Sequence, residues 1–106
     1  MKHFTPTQLK EHLACAKTKP LLLDVRELWE FDICHIEGSQ LIPMGQVPSQ
    51  LETLDKNQEI VVICHHGTRS KQVAMYMEHF GFELVINLSG GVDAWAQEVD
   101  LNMAKY

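Results

Sequence analysis

The residues of this chain best suited to chemistry lie in the stretch VVICHHGTRSKQVAMYMEHFGF, from Val61 to Phe82. An apolar run ends in Cys64, a short polar segment follows, and a helical pattern begins at Ser70. If residues 65–70 curl into a loop, the backbone N–H groups of His65, His66, Gly67, Thr68, Arg69 and Ser70 converge as an anion cradle beside a helix N-terminus. Gly67 supplies the positive φ that such a curl needs, Ser70 is placed to cap the helix, and Arg69 adds a full positive charge. A free cysteine titrates near ~8.5, and helix N-termini and cationic neighbours lower that value. The pattern therefore suits a nucleophilic thiolate that forms a covalent intermediate. The plainer reading of Cys64 is a small hydrophobe closing a core strand.

The elements that must position this loop are legible as short apolar runs separated by helical patterns. LLLDV at 21–25, IVVIC at 60–64 and LVINL at 84–88 are nearly unbroken apolar runs, as expected of strands covered on both faces. Between the last two, a helix is expected from Ser70 to His79, burying Val73, Met77 and Phe80 and stopping at Gly81. Such a strand, helix, strand unit implies parallel strands with a right-handed crossover. Thr5, Pro6 and Gln8 form a capping-box start for a first helix that carries Leu9, Leu13 and Ala16 on one face and ends before Pro20. QLIPM at 40–44 is a weaker strand because Pro43 interrupts it. The alternation points to a three-layer α/β domain whose ligands gather at the carboxyl edge of the sheet, where Asp24, Arg26 and Cys64 fall.

Bulk properties narrow the possibilities further. The chain has 106 residues, 45% of them hydrophobic, which suits one domain spanning residues 1–106 and not two. A formal charge of −5 without a run of Lys or Arg argues against a nucleic-acid surface, so small molecules or proteins are the expected partners. Cys15, Cys34 and Cys64 are odd in number and far apart, which suggests neither a disulfide framework nor a zinc motif. Free thiols in a reducing cytoplasm are expected. No signal peptide or membrane span is evident.

Together CHHGTRS, GFELVINLSGGVDAW and LLLDVRELWEFDICHIEGSQLIP, in that family's order, resemble the rhodanese family from about Leu21 to Trp95. The resemblance implies a rhodanese-like fold, a mostly parallel five-stranded sheet with helices on both faces. It implies a sulfurtransferase that takes a sulfane sulfur from thiosulfate or a related donor, carries it as a Cys64 persulfide, and passes it to a thiol, protein or cyanide acceptor. No metal and no organic cofactor is implied. The six residues from Cys64 to Arg69 form a tighter loop than the C-x5-R cradle of cysteine phosphatases, which suits a single sulfur better than a tetrahedral oxyanion. Loss of the thiol is expected to abolish turnover, and loss of Arg69 to weaken donor handling more than folding. The alternative from a different class is a low-turnover interaction or redox-sensor module.

The remaining motif residues carry structural and functional readings side by side. Asp24 and Arg26 match the D-x-R element of the family, either supporting the active-site loop or forming an ion pair inside the fold, the second being preferred. Glu30, His35 and Glu37 fall in a segment similar to the family's EF-x-x-GHI, with Cys34 in place of its usual glycine. A positive φ there would strain Cys34. A second thiol could also resolve a Cys64 persulfide into a disulfide. His65 and His66 either lower the thiol's pKa when protonated or, neutral and outward, shape acceptor access, and the latter is preferred. With Cys64 they make a poor zinc set, because adjacent side chains seldom converge on one ion. Gly90, Gly91 and Trp95 match the closing GG-x-x-AW motif as a tight turn and a core aromatic. Met75, Tyr76 and Met77 are assigned to helix packing, and the tail after Trp95 carries no signal.

Overall fold

A computed structural model describes residues 1–106, and its strands are the apolar runs of the sequence together with one more. β1 (Lys2–Phe4), β2 (Leu21–Asp24), β3 (Gln40–Leu41), β4 (Ile60–Ile63) and β5 (Val85–Leu88) form a single sheet in the order β1-β5-β4-β2-β3. Every neighbouring pair is parallel. β1 has no legible signature, since three residues with a mostly exposed pattern carry too little alternation to register. The weak strand ahead of Pro43 survives as the two residues of β3 at the opposite edge, where a missing N–H is tolerated.

Helix α1 (Pro6–Cys15) starts on the expected capping box: Thr5 Oγ1 accepts from the Gln8 N–H at 3.2 Å, and Gln8 Oε1 accepts from the Thr5 N–H at 2.9 Å. The other helices are α2 (Leu28–Ile33), α3 (Val47–Gln50), α4 (Thr68–His79) and α5 (Gly91–Glu98). Val73 and Met77 of α4 are buried as expected, whereas Phe80 and Met75 face solvent at 45% and 55% exposure. Phe80 falls after the helix ends, at its C-cap, where the helical spacing that predicted its burial no longer applies.

Side-chain alternation along the strands divides the core in two. Leu23, Ile60, Val62, Cys64, Val85 and the α4 residues Val73, Ala74 and Met77 pack on one face, joined by Val47 of α3. Leu22, Val61, Ile63, Ile86 and Leu88 pack on the other with Leu9 of α1 and Val92 and Trp95 of α5. Cys64 continues the phase of Ile60 and Val62, so its side chain is directed toward α4, and Asn87 shares that face through the phase of Val85. β4 lies at the centre of the sheet. The chain leaves β2 toward one edge and β4 toward the other, so the loops after β2 and β4 diverge there, the crevice in which such sheets hold ligands.

The cysteine loop is tied to α5 by backbone hydrogen bonds. The Val92 N–H donates to the Cys64 carbonyl at 2.9 Å, and the Asp93 N–H donates to the His65 carbonyl at 3.1 Å. This approach requires Gly91, whose φ is +57° and where an added Cβ would lie 2.3 Å from the Cys64 oxygen and 2.4 Å from that of His65. Gly38 has a comparable φ of +85° but open space around it. Gly91→Ala is therefore expected to cost about 3 kcal/mol or more, combining a left-handed residue with a backbone clash. Gly38→Ala is expected to cost about 1 kcal/mol, from conformation alone. Urea midpoints of the two variants check the difference, and equal losses would remove the close approach as a constraint.

Candidate active site

Cys64 is 1% exposed, yet its sulfur lies among polar groups. Its Sγ accepts from the Gly67 N–H at 3.0 Å and lies 3.3 Å from Ser70 Oγ. Gly67 adopts φ +99° and caps the N-terminus of α4, and an added Cβ there would meet the Gly90 nitrogen at 3.1 Å. Ser70 is not the cap that its residue type suggested. It lies inside the first turn, fully buried, and its hydroxyl donates to Asn87 Oδ1 at 2.5 Å. With that proton engaged by Asn87, Ser70 offers the sulfur a lone pair; once the sulfur is anionic, the same hydroxyl can turn to donate to it.

The expected cradle is present in a reduced form. Among the amides of residues 65–70, Gly67's is the one that meets the sulfur. The N–H groups of His66, Thr68, Arg69 and Ser70 have no acceptor within the chain. Three of them are the donors that a helix's first turn leaves unpaired.

Arg69 is not a free cation. Its Nη1 and Nη2 donate to Glu30 Oε1 and Oε2 at 2.7 and 2.8 Å, a two-pronged pair between the first turn of α4 and α2. Tyr106 also donates to Glu30 Oε2 at 2.8 Å, accepts from Arg26 Nη1 at 2.8 Å, and lies flat on the His65 ring with centroids 3.9 Å apart. The hydrogen bonds from Arg69 hold the Glu30 carboxyl at about 2, against partial opposition from burial. Burial first raises the Tyr106 hydroxyl, to about 12, so it remains a donor. Burial, and then the nearby charge of His66, lower the His65 pKa and favour its neutral ring.

Asp24 and Arg26 do not support the cysteine loop directly. Both are fully buried, and the Asp24 carboxylate accepts from Arg26 Nη2 at 2.7 Å and from the Arg26 backbone N–H at 3.1 Å. Asp24 follows Leu22 on the face opposite Cys64, which is why it cannot reach that loop. Arg26 reaches the site at one remove, through Tyr106, and also donates to the Cys34 carbonyl at 2.7 Å. Cys34 has φ −163°, ordinary extended backbone, so replacing the family's glycine causes no strain. It packs with the α1 and α5 layer whereas Cys64 packs with α4, an arrangement that separates the two thiols. His35 stacks on Phe31 at 3.9 Å and is structural. Glu30's pairing with Arg69, Asn87 and Tyr106 were all missed from sequence. Glu30 lies in a quoted motif, but nothing in its spacing names a partner 39 residues away.

Fold and loop together define an α/β domain that presents a cysteine at the carboxyl end of its central strand, above the N-terminus of a helix. The model of the rhodanese-like domain matches residues 5–98, and the chain belongs to that family. It is 40% identical over 98 residues to YtwF of Bacillus subtilis, named as a sulfurtransferase, with 92% of this chain and 93% of that protein covered. It is 40% identical over 79 residues to YrkF of the same organism, named as a sulfur carrier protein, covering 74% of this chain but only 43% of YrkF. Among solved structures, a rhodanese-like domain protein of Staphylococcus aureus superposes with a TM-score of 0.84 at 34% identity, covering 93% and 95% of the two chains.

Because the folded pKa of Glu30 lies below its ordinary 4.5, its contribution to stability is complete above about pH 4.5 and fades as pH falls toward 2. Glu30→Gln is expected to lose about 2 kcal/mol at neutral pH and to flatten that acid limb. Urea unfolding at a series of pH values measures it; a limb as steep as the parent's would assign the effect to other carboxylates.

Proposed function

We propose that the protein is a sulfurtransferase that carries sulfane sulfur on Cys64. The observation that carries this reading is the sulfur itself, held at 3.0 Å by the Gly67 N–H at the foot of a helix turn whose other amides are unpaired. The names of YtwF and YrkF support the same class of chemistry.

In the first half-reaction the Cys64 thiolate attacks the outer sulfur of thiosulfate or a related donor. A new S–S bond forms on Cys64, the donor's own S–S bond breaks, and its electron pair leaves with sulfite when the donor is thiosulfate, or with the donor's thiolate otherwise. The terminal persulfide sulfur carries the negative charge and takes up the unpaired amides of the loop. In the second half-reaction a thiolate or cyanide attacks that terminal sulfur, and the Cys64 thiolate departs. In the thiolate state Gly67 serves the anionic Cys64 sulfur through its amide and Ser70 through a hydroxyl that turns from Asn87.

Arg69 acts mainly by holding the loop. Because its guanidinium is committed to Glu30 in both prongs, its removal unpairs a buried carboxylate and disturbs folding as well as donor handling. The sequence-based expectation has donor handling weakened more than folding; the Glu30 pairing gives folding a larger share. Partners of this chemistry are a small-molecule donor and a thiol-bearing acceptor, small or protein. No helix is long and apolar enough to cross a membrane.

Incubation with thiosulfate is expected to add one sulfur to the intact mass, removable by cyanide and mapped to Cys64, and Cys64→Ser is expected to abolish both the gain and thiocyanate formation. Ser70→Ala is expected to lower kcat by about tenfold or more while leaving the fold intact. No mass gain with any sulfane donor would turn the assignment toward a low-turnover interaction or sensor module.

A further inference from the structure

The curl of the loop does what sequence adjacency alone does not. It brings the His65 and His66 rings to 3.9 Å, inclined at 32°, and sets both beside Asp93 of α5. One ligand atom from each of the three lies within 4.8 Å of the others, with His66 Nε2 and Asp93 Oδ2 already 3.8 Å apart. We infer that His65, His66 and Asp93 form a binding site for a divalent transition-metal cation of the zinc class on the rim of the cysteine loop, separate from the Cys64 sulfur.

The donor set is two imidazoles and a carboxylate, which zinc accepts in three-ligand sites that leave a fourth position open to water or an external ligand. Calcium and magnesium prefer all-oxygen shells and do not match. Bonds of about 2.0–2.1 Å place tetrahedral ligand atoms roughly 3.3 Å apart, so the cluster must close by on the order of 1.5 Å. The movable members are the right ones: the His66 and Asp93 side chains are 64% and 31% exposed. The third is fixed, because His65 lies flat against Tyr106 with ring planes 10° apart.

The backbone sets the juxtaposition before any cation arrives. The Asp93 N–H donates to the His65 carbonyl at 3.1 Å, which holds the start of α5 against the loop. Gln97, one turn along α5, donates from Nε2 to Asp93 Oδ2 at 3.1 Å and orients the carboxylate, the outer support that metal ligands commonly have. Pairing the histidines with Cys64, the set considered from sequence, fails because the sulfur is directed toward α4. The third ligand comes instead from a helix 28 residues further along the chain, since Asp93 follows His65 by that interval.

The test uses the full chain with Cys15→Ser, Cys34→Ser and Cys64→Ser, so that none of the three free thiols can bind. Calorimetric titration with Zn2+ is expected to give one equivalent. His66→Ala and Asp93→Asn are each expected to weaken binding by at least about tenfold, and Gln97→Ala to weaken it by a smaller factor. Co2+ in place of Zn2+ is expected to give visible d–d absorption that Asp93→Asn removes, and far-UV circular dichroism checks that each variant is folded. No binding in the thiol-free chain, or binding unchanged in both ligand variants, would overturn the assignment. Because no readout uses sulfur transfer, the result stands apart from the fate of the proposed function.

Discussion

The structure turns on two hydrogen bonds in which the first amides of α5 donate to the Cys64 and His65 carbonyls. A helix start has donors without internal partners, and a loop leaving a parallel strand has acceptors without partners. Joining the two satisfies both and brings backbone against backbone, which only Gly91 permits. The orientation of the cysteine loop is thereby set by main chain, before any side chain acts. Side chains then refine it: Gly67 meets the sulfur, Ser70 and Asn87 form a buried polar pair beneath it, and His65 is carried outward onto Tyr106.

Electrostatics of the site gather at Glu30. A nearly buried carboxylate is costly unless paired and fully hydrogen-bonded, and Glu30 meets that condition with Arg69 on both oxygens, the Tyr106 hydroxyl, and the Glu27 N–H at 3.1 Å. Arg26 joins through Tyr106 while remaining locked to Asp24. The consequence for chemistry is that the loop's arginine is largely neutralised. On the proposed function, stabilisation of an anionic sulfur falls to amide dipoles oriented by the fold and to one hydroxyl that turns toward it.

That division of labour fits the proposed transfer of a single sulfur atom. A persulfide is small and singly charged, and a few amides suffice to hold its terminal atom. The same loop displays its two histidines away from the sulfur, so that the outer rim has donor chemistry of its own alongside Asp93. Opposite faces of one hexapeptide therefore carry two distinct sets of groups.

Much of this was legible in the sequence because it depends on local rules. Apolar runs mark buried parallel strands, Thr5 with Gln8 marks a helix start, and Gly67 and Gly90 mark left-handed turns at φ +99° and +78°. The position of Cys64 at a strand end before a helix followed from the same reasoning. What the chain's own pattern could not supply were pairings across long intervals: Arg69 with Glu30, Ser70 with Asn87, Tyr106 with Arg26 and Glu30, and Asp93 with the histidines. Sequence periodicity reports which side of an element faces the core, and so it found the loop. Which loop meets which, and whether a charge ends free or paired, depends on strand order and backbone contact, and those exist only once the sheet has formed.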